Sequence, residues 1–399
     1  MTRALPTAGL LALSLVACGS EAPPRDLPYQ GSAWPEARAS HRVDKADLAI
    51  VTNNAGDSIS VLDLRAGTVA VTAPIDLDPI ANDGPHHAVI DAAGEFLYTP
   101  LAYPRPTTAL GPHAQHGASQ LPGVLLKLRV ADLSRVSTVT LESNPGDILL
   151  TPDGKRAIVS HFDLSRAIEG LRKGRPLAEV RSPIVILDTA TLERSSAPAP
   201  CIAAHGMAIP TDGKTLYLAC YGEDAIAVVD LEKPTDPATL WPLGASATPG
   251  VPSIGPYFVV LAPGEQALVV AESEGKALRM IDRATGKTTA RSPLPGAVFG
   301  PTTTRDGTRW IVPVQGPDGV HVVDATTVGV TSSRAFSAGE CQRPHQAARH
   351  GERIFLVCEG DHVGPGAILE IDPNDLSTLR RFEVGAYPDV IAFPAGQGT

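Results

Sequence analysis

One unit recurs along this chain, and that recurrence limits its fold more than any other feature. An apolar strand that closes on Asp and runs into a turn appears as Ser60-Val-Leu-Asp63, Ile184-Val-Ile-Leu-Asp188 and Ile226-Ala-Val-Val-Asp230. It returns as Leu278-Arg-Met-Ile-Asp282, Val320-His-Val-Val-Asp324 and Ile368-Leu-Glu-Ile-Asp372, and a further copy, Leu126-Lys-Leu-Arg-Val130, lacks the Asp. Between these lie pairs of apolar runs split by a polar turn, most clearly at Thr151-Pro-Asp-Gly154 and Pro210-Thr-Asp-Gly213. Asp-Gly between two apolar runs is a hairpin signal. A fixed period of this kind takes priority over local propensities in deciding the fold.

Aligned on the residue before the first strand, the units start at Pro85, Pro145, Ala204, Pro256, Val298, Pro344 and Pro388, spaced 60, 59, 52, 42, 46 and 44 residues apart. A unit of about 42–46 residues with four short strands is a β-propeller blade. The two longest units carry insertions, near 102–123 and 162–183. The first copy, from about Asp47, lacks a first strand, whereas the last, Pro388–Phe393, has only that strand. Joined, the two make one blade. The expected fold is therefore all-β: a seven-bladed propeller over 43–399, closed by pairing the C-terminal strand with the N-terminal blade near Ala49–Thr52, which leaves no free sheet edge.

Composition agrees. Apolar residues make up 43% and charged residues 19%, enough for a sizeable core, and 37 glycines with 37 prolines supply many turns. The net charge of −10 argues against a nucleic-acid partner held by a basic face.

Residues 4–17 are apolar or small, follow Arg3 and end in Leu15-Val-Ala-Cys18. The run is too short to span a bilayer and reads as an export signal. Its ending resembles the lipobox of bacterial lipoproteins, which implies cleavage before Cys18 and lipidation of that residue. Gly19 after it implies sorting to the outer membrane. Residues 19–42 read as a flexible tether. Val51-Thr-Asn53 after an apolar strand, the Thr-Pro-Asp-Gly turn and the Val-Val-Asp strands resemble the YVTN-type, YncE-like seven-bladed propeller repeats of bacterial envelope proteins. That resemblance spans about 43–399. It implies the fold but not an activity, because relatives include binding proteins, lactonase-like enzymes and redox-enzyme subunits.

Four further cysteines form two equivalent pairs. Cys201 and Cys220 flank a hairpin whose midpoint falls in Pro210-Thr-Asp-Gly213, and Cys341 and Cys358 flank one centred on Arg349-His-Gly351. Residues symmetric about a hairpin turn face each other, so the expected disulfides are Cys201–Cys220 and Cys341–Cys358. The alternative is a Cys/His metal site using His205 and His345.

The histidines crowd onto one face. In a propeller the innermost strands all start at the same end of the channel, here called the top. His86, His205 and His345 each begin such a strand. His87 follows the first, and His161 ends a second strand at the same face. His113, His116 and His362 lie in top loops. The same slot in the other blades holds Gly146, Tyr257, Phe299 and Asp389. Neutral imidazoles suit Cu or Zn. The candidate ligand or metal residues are therefore His86, His87, His161, His205, His345, Asp389 and Tyr257. The His86-His87 pair resembles one in nitrous-oxide reductase, a seven-bladed copper enzyme, but Gly146, Tyr257 and Phe299 leave too few histidines for such a cluster. Glu272 and Glu359, at strand ends, are weaker candidates for a lactonase-like site, and Asp76-Leu-Asp78 reads as a solvated loop. There is no P-loop, G-x-S-x-G or H-E-x-x-H.

Two functions stay open beside a purely structural envelope module. The first is an exported, membrane-anchored, monomeric propeller that binds an envelope protein or small molecule through its top face, without catalysis. The second is a periplasmic metalloenzyme, either a lactonase-like hydrolase or a copper-type redox protein, with a site built from His86, His205 and His345 and assisted by Asp389 or His161.

Overall fold

A computed structural model of the protein describes residues 39–75, 77, 82–104, 117–244 and 248–394. These residues form seven antiparallel sheets, the blades of a β-propeller. Their innermost strands are Pro388–Ala392, Val89–Ile90, Pro145–Leu150, Ala204–Ala208, Pro256–Leu261, the broken pair Ala297–Val298 and Thr302–Thr303, and Pro344–His350. Second strands such as Leu48–Asn53 are buried throughout, whereas fourth strands such as Thr68–Pro74 alternate exposed and covered residues on the rim.

The core is divided as the repeat requires. The described residues form seven apolar clusters; six lie between two neighbouring blades, and the one around Tyr257 and Phe299 also takes in Phe162, Ile202 and Ala203. Ile50, Ile59 and Val61 of the first blade, for example, meet Leu97 and Leu126 of the second. A single blade therefore has two faces to cover and cannot bury both alone. The repeated Asp also has a local task. The Asp188 carboxylate accepts the amides of Ala190 and Thr191 at 2.8 and 2.9 Å, and Asp324 does the same for Thr326 and Thr327. Each ties the turn leading to the fourth strand. In the Thr-Pro-Asp-Gly turn, Thr151 Oγ1 donates to Asp153 at 2.6 Å and Gly154 takes a φ of 69° that favours glycine.

The ring closes as the half-repeats require. Pro388–Ala392 pairs antiparallel with Leu48–Asn53, with Ile50 opposite Ala392, Val51 opposite Ile391 and Asn53 opposite Pro388. The Asn54 amide adds a 2.7 Å bond to the Tyr387 carbonyl. Both disulfides are present within their own blades, Cys201–Cys220 with Cα atoms 5.7 Å apart and Cys341–Cys358 at 5.2 Å. The four thiols are thus unavailable to a metal. Each bridge closes a short loop and contributes about 3 kcal/mol in the chain-entropy view. Two disulfides accord with an oxidising, exported environment.

The insertion of the third blade forms the helix Leu164–Arg172 and a short turn of helix, Leu177–Val180. Leu164, Leu171 and Leu177 pack against the apolar cluster that includes Phe162, Tyr257 and Phe258. The export signal with Cys18, the tether up to residue 38, Asp76, Asp78, and His113 and His116 of the other insertion lie outside the described residues. Ahead of the expected propeller start, Ala39 is already buried and His41 Nε2 lies 2.8 Å from the Val130 carbonyl. Among the described residues, no helix is long and apolar enough to cross a membrane.

Candidate metal centre

Six of the seven innermost strands are entered through the same backbone turn. Gly84, Asn144, Ala203, Gly255, Arg343 and Tyr387, each just ahead of its strand, have φ between 50° and 60°. A register shift follows in the same strands, between Pro145 and Ile148, Ala204 and Met207, Pro256 and Phe258, and Pro344 and Gln346. Such bulges break the alternation of a strand and re-aim its side chains. The result is a continuous ring of slot residues.

Around that ring each side chain touches the next. His86 bonds Asp389 through Nδ1. Asp389 Oδ1 lies 3.1 Å from His345 Nδ1. The His345 ring meets Phe299 edge-on at 5.4 Å, Phe299 meets Tyr257 at 5.5 Å, and Tyr257 stacks on His205 at 3.9 Å. Gly146 completes the circle. A Cβ there would stand 3.0 Å from Ser160 Oγ and 3.3 Å from a His205 ring carbon, so a side chain at this slot would crowd His205.

His87 fills the middle. Its ring centroid is 4.5 Å from His86, 5.1 Å from His205 and 6.4 Å from His345, and it stacks on Phe258 at 5.8 Å. One ring nitrogen each of His86, His87 and His205 lies within 4.8 Å of the other two, and all three residues are buried. Three nitrogens around one ion at 2.0–2.1 Å stand about 3.4 Å apart, so small ring rotations would complete a site. His345 stands just outside this group, and His87 takes the position expected for it.

The second nitrogen of each ring is held. His87 Nδ1 bonds Asp147 Oδ1 at 2.7 Å, His205 Nδ1 lies 3.3 Å from the Tyr257 carbonyl, and His345 Nδ1 lies 2.9 Å from the Asp389 carbonyl. A neutral ring that donates from Nδ1 carries its lone pair on Nε2. That is the usual preparation of a metal-binding histidine. His87 Nε2 is buried without a hydrogen-bond partner among the described residues.

The electrostatics of the ring are set by burial and by the Asp389 charge. Burial pushes the His86 imidazole below its ordinary value, helped by the neighbouring His87 and His345 and opposed by Asp389. Burial would raise Asp389, but the charges and hydrogen bonds of His86 and His345 hold it well below the usual carboxylate range. Burial works against charge on His345 too, yet Asp389 and Glu359 raise it. Burial, then the Asp389 and Glu359 charges, drives the Tyr257 phenol far up, so it stays neutral.

No protein-family model matches the chain, and no curated protein sequence matches it at a significant level. Solved structures do. The periplasmic gluconolactonase of Pseudomonas aeruginosa superposes with a TM-score of 0.60 at 14% identity, covering 86% of this chain and 98% of that one. Hydrazine synthase of Kuenenia stuttgartiensis gives 0.53 at 16% identity over 72% of this chain and 77% of its own. The dihydro-heme d1 dehydrogenase NirN gives 0.55 at 11% identity over 90% and 77%. At such identities the likeness is one of fold.

The remaining candidates are held by partners of their own, and of these Glu359 also reaches the ring, 3.8 Å from His345. Glu272 is wholly buried but bonded to Arg279 and to Arg291 at 2.8 Å, a structural ion cluster rather than a ligand. Glu359 Oε1 accepts from Gln315 at 3.0 Å and Oε2 lies 2.6 Å from His362 Nε2. His161 is buried in its own blade, with Nδ1 3.1 Å from the Pro183 carbonyl. Burial lowers its pKa to about 4, against the pull of Glu142. The sign follows from the unfolded value of about 6.5. The contribution is full above that pH, falls as the unfolded chain takes up the proton, and levels off below the folded value. The drop is about 3 kcal/mol at 1.36 kcal/mol per unit. His161→Gln is expected to flatten urea-derived stability between pH 6.5 and 4 by that amount relative to wild type. A difference curve independent of pH would contradict it.

Proposed function

We propose that this chain is an exported binding module that holds one transition-metal ion, Zn(II) or Cu(II), at the top end of its propeller channel through His86, His87 and His205. The observation that carries this reading is the convergence of three buried imidazoles whose other nitrogens are already engaged. The ion would supply a buried positive charge, while Phe162, edge-on to His205 at 5.5 Å, and the helical insertion cover the site. His345 and Asp389 border the site, and Tyr257 backs His205. Titration calorimetry with Zn(II) and Cu(II) is expected to give one equivalent per chain, and elemental analysis of protein isolated from its native envelope should find the same stoichiometry. Absence of saturable binding by both ions would end this reading.

Lactone hydrolysis is the second reading, favoured by the gluconolactonase likeness and by the buried Glu359 carboxylate 3.8 Å from His345. A lactone-opening assay on metal-loaded protein separates the two. The reading includes anchorage through lipid on Cys18, facing an envelope partner. Fatty-acid labelling should disappear in Cys18→Ser, and labelling that persists there would exclude this anchor.

A further inference from the structure

We propose that Asp147 and Asp389 are positioning residues of the centre and that their paired charges make it select a divalent over a monovalent ion. This rests on the metal reading above. Asp147 sits one position past the slot glycine, where the bulge of its strand aims it at the channel. Its Oδ1 accepts from His87 Nδ1 at 2.7 Å and from the Ile148 amide at 2.8 Å, and its Oδ2 accepts from the Met207 amide at 3.0 Å. Three donors from three blades fix the carboxylate, and the carboxylate fixes the ring. Asp389, wholly buried, does the same for His86 and reaches His345.

The charge count makes the choice of ion. Three neutral imidazoles leave the whole charge of a bound ion in a buried place. An uncompensated buried charge is strongly unfavourable. Asp147 and Asp389 bring two negative charges, each one imidazole away from the ion. Glu359, a further buried carboxylate nearby, has imidazole partners of its own, His345 at 3.8 Å and His362 at 2.6 Å, so a divalent ion is the better balanced and a monovalent ion leaves more negative charge over. Tyr257 adds none, because its phenol is neutral.

Asp147→Asn tests this, since it removes the charge and keeps an oxygen that can accept from His87. Competition titrations with Zn(II) and with Ag(I), a monovalent ion stable in air, read both affinities. Zn(II) affinity is expected to fall about 10–100-fold, with Ag(I) falling at least tenfold less. Zn(II) affinity within threefold of wild type would overturn the proposal, and so would equal losses for both ions, which mark a merely structural role. Asp389→Asn is the second arm, with its melting recorded because it lies on the closing strand. If it fails to fold, Asp147→Asn decides alone. His87→Ala run in parallel keeps the two readings apart. Zn(II) binding unchanged in that variant refutes the centre itself, whereas its loss there with intact binding in Asp147→Asn refutes only the carboxylates' role.

Discussion

A chain cut after Tyr387 is expected to lose its cooperative melting transition. Val390 and Ile391 are each 3% exposed and Ala392 8%. Ile391 lies among Ala49, Val51, Phe355, Val357 and Ile368, between the last blade and the first. Removing Val390 and Ile391 alone forfeits about 3 to 6 kcal/mol of burial, against a typical domain margin of about 5–15 kcal/mol. The cut also strips the hydrogen-bonding partner from Leu48–Asn53. A buried second strand then becomes an open, apolar edge, which invites association. Circular dichroism and calorimetry should show no sharp transition above room temperature, with aggregation at micromolar concentration. A truncated chain that melts like the full one would mean that the closing strand does not hold the ring.

The second large effect is on metal binding. His87→Ala/His205→Ala removes two of the three converging imidazoles and leaves the blades' apolar clusters intact. Structural zinc sites with four ligands are worth about 10–16 kcal/mol, roughly 3 kcal/mol per ligand. Losing two costs about 10⁴-fold in affinity. His350→Ala is the control. His350 ends an innermost strand at the opposite face and stacks on Phe393 at 4.8 Å. It should bind as wild type. Equal affinity in the double variant and the control would place the ion elsewhere.

Much of this was legible in the sequence because a repeat carries geometry. Spacing counted the blades, the unmatched half-units at 47 and 388 located the closure, and hairpin symmetry paired the cysteines. The slot alignment named His86, His205 and His345 from three blades as neighbours on one ring. What stayed hidden follows from one local device. Alternation along a strand sends successive residues to opposite faces, so a residue next to the slot is expected to turn away from it. The bulge at each strand start cancels that rule. His87 and Asp147 are thereby turned into the channel, His87 displaces His345 from the tight group, and Asp147 becomes its anchor. His161 lies away from the group for the opposite reason. It ends a second strand at the correct face, but that strand lies one layer out, and its ring turns toward the Pro183 carbonyl instead.

The closing strand also sets an order in time. Asp389 is made 303 residues after His86. At about 5–20 residues per second, a ribosome needs roughly 15–60 s to travel between them. Throughout that interval the His86-His87 pair exists without the carboxylate that orients its first ring, and the two strands that will face each other are still far apart. An ion met early finds a loose pair of side chains, while one met late finds a finished cage. The proposed ion would therefore be held most tightly by chains whose two ends have met.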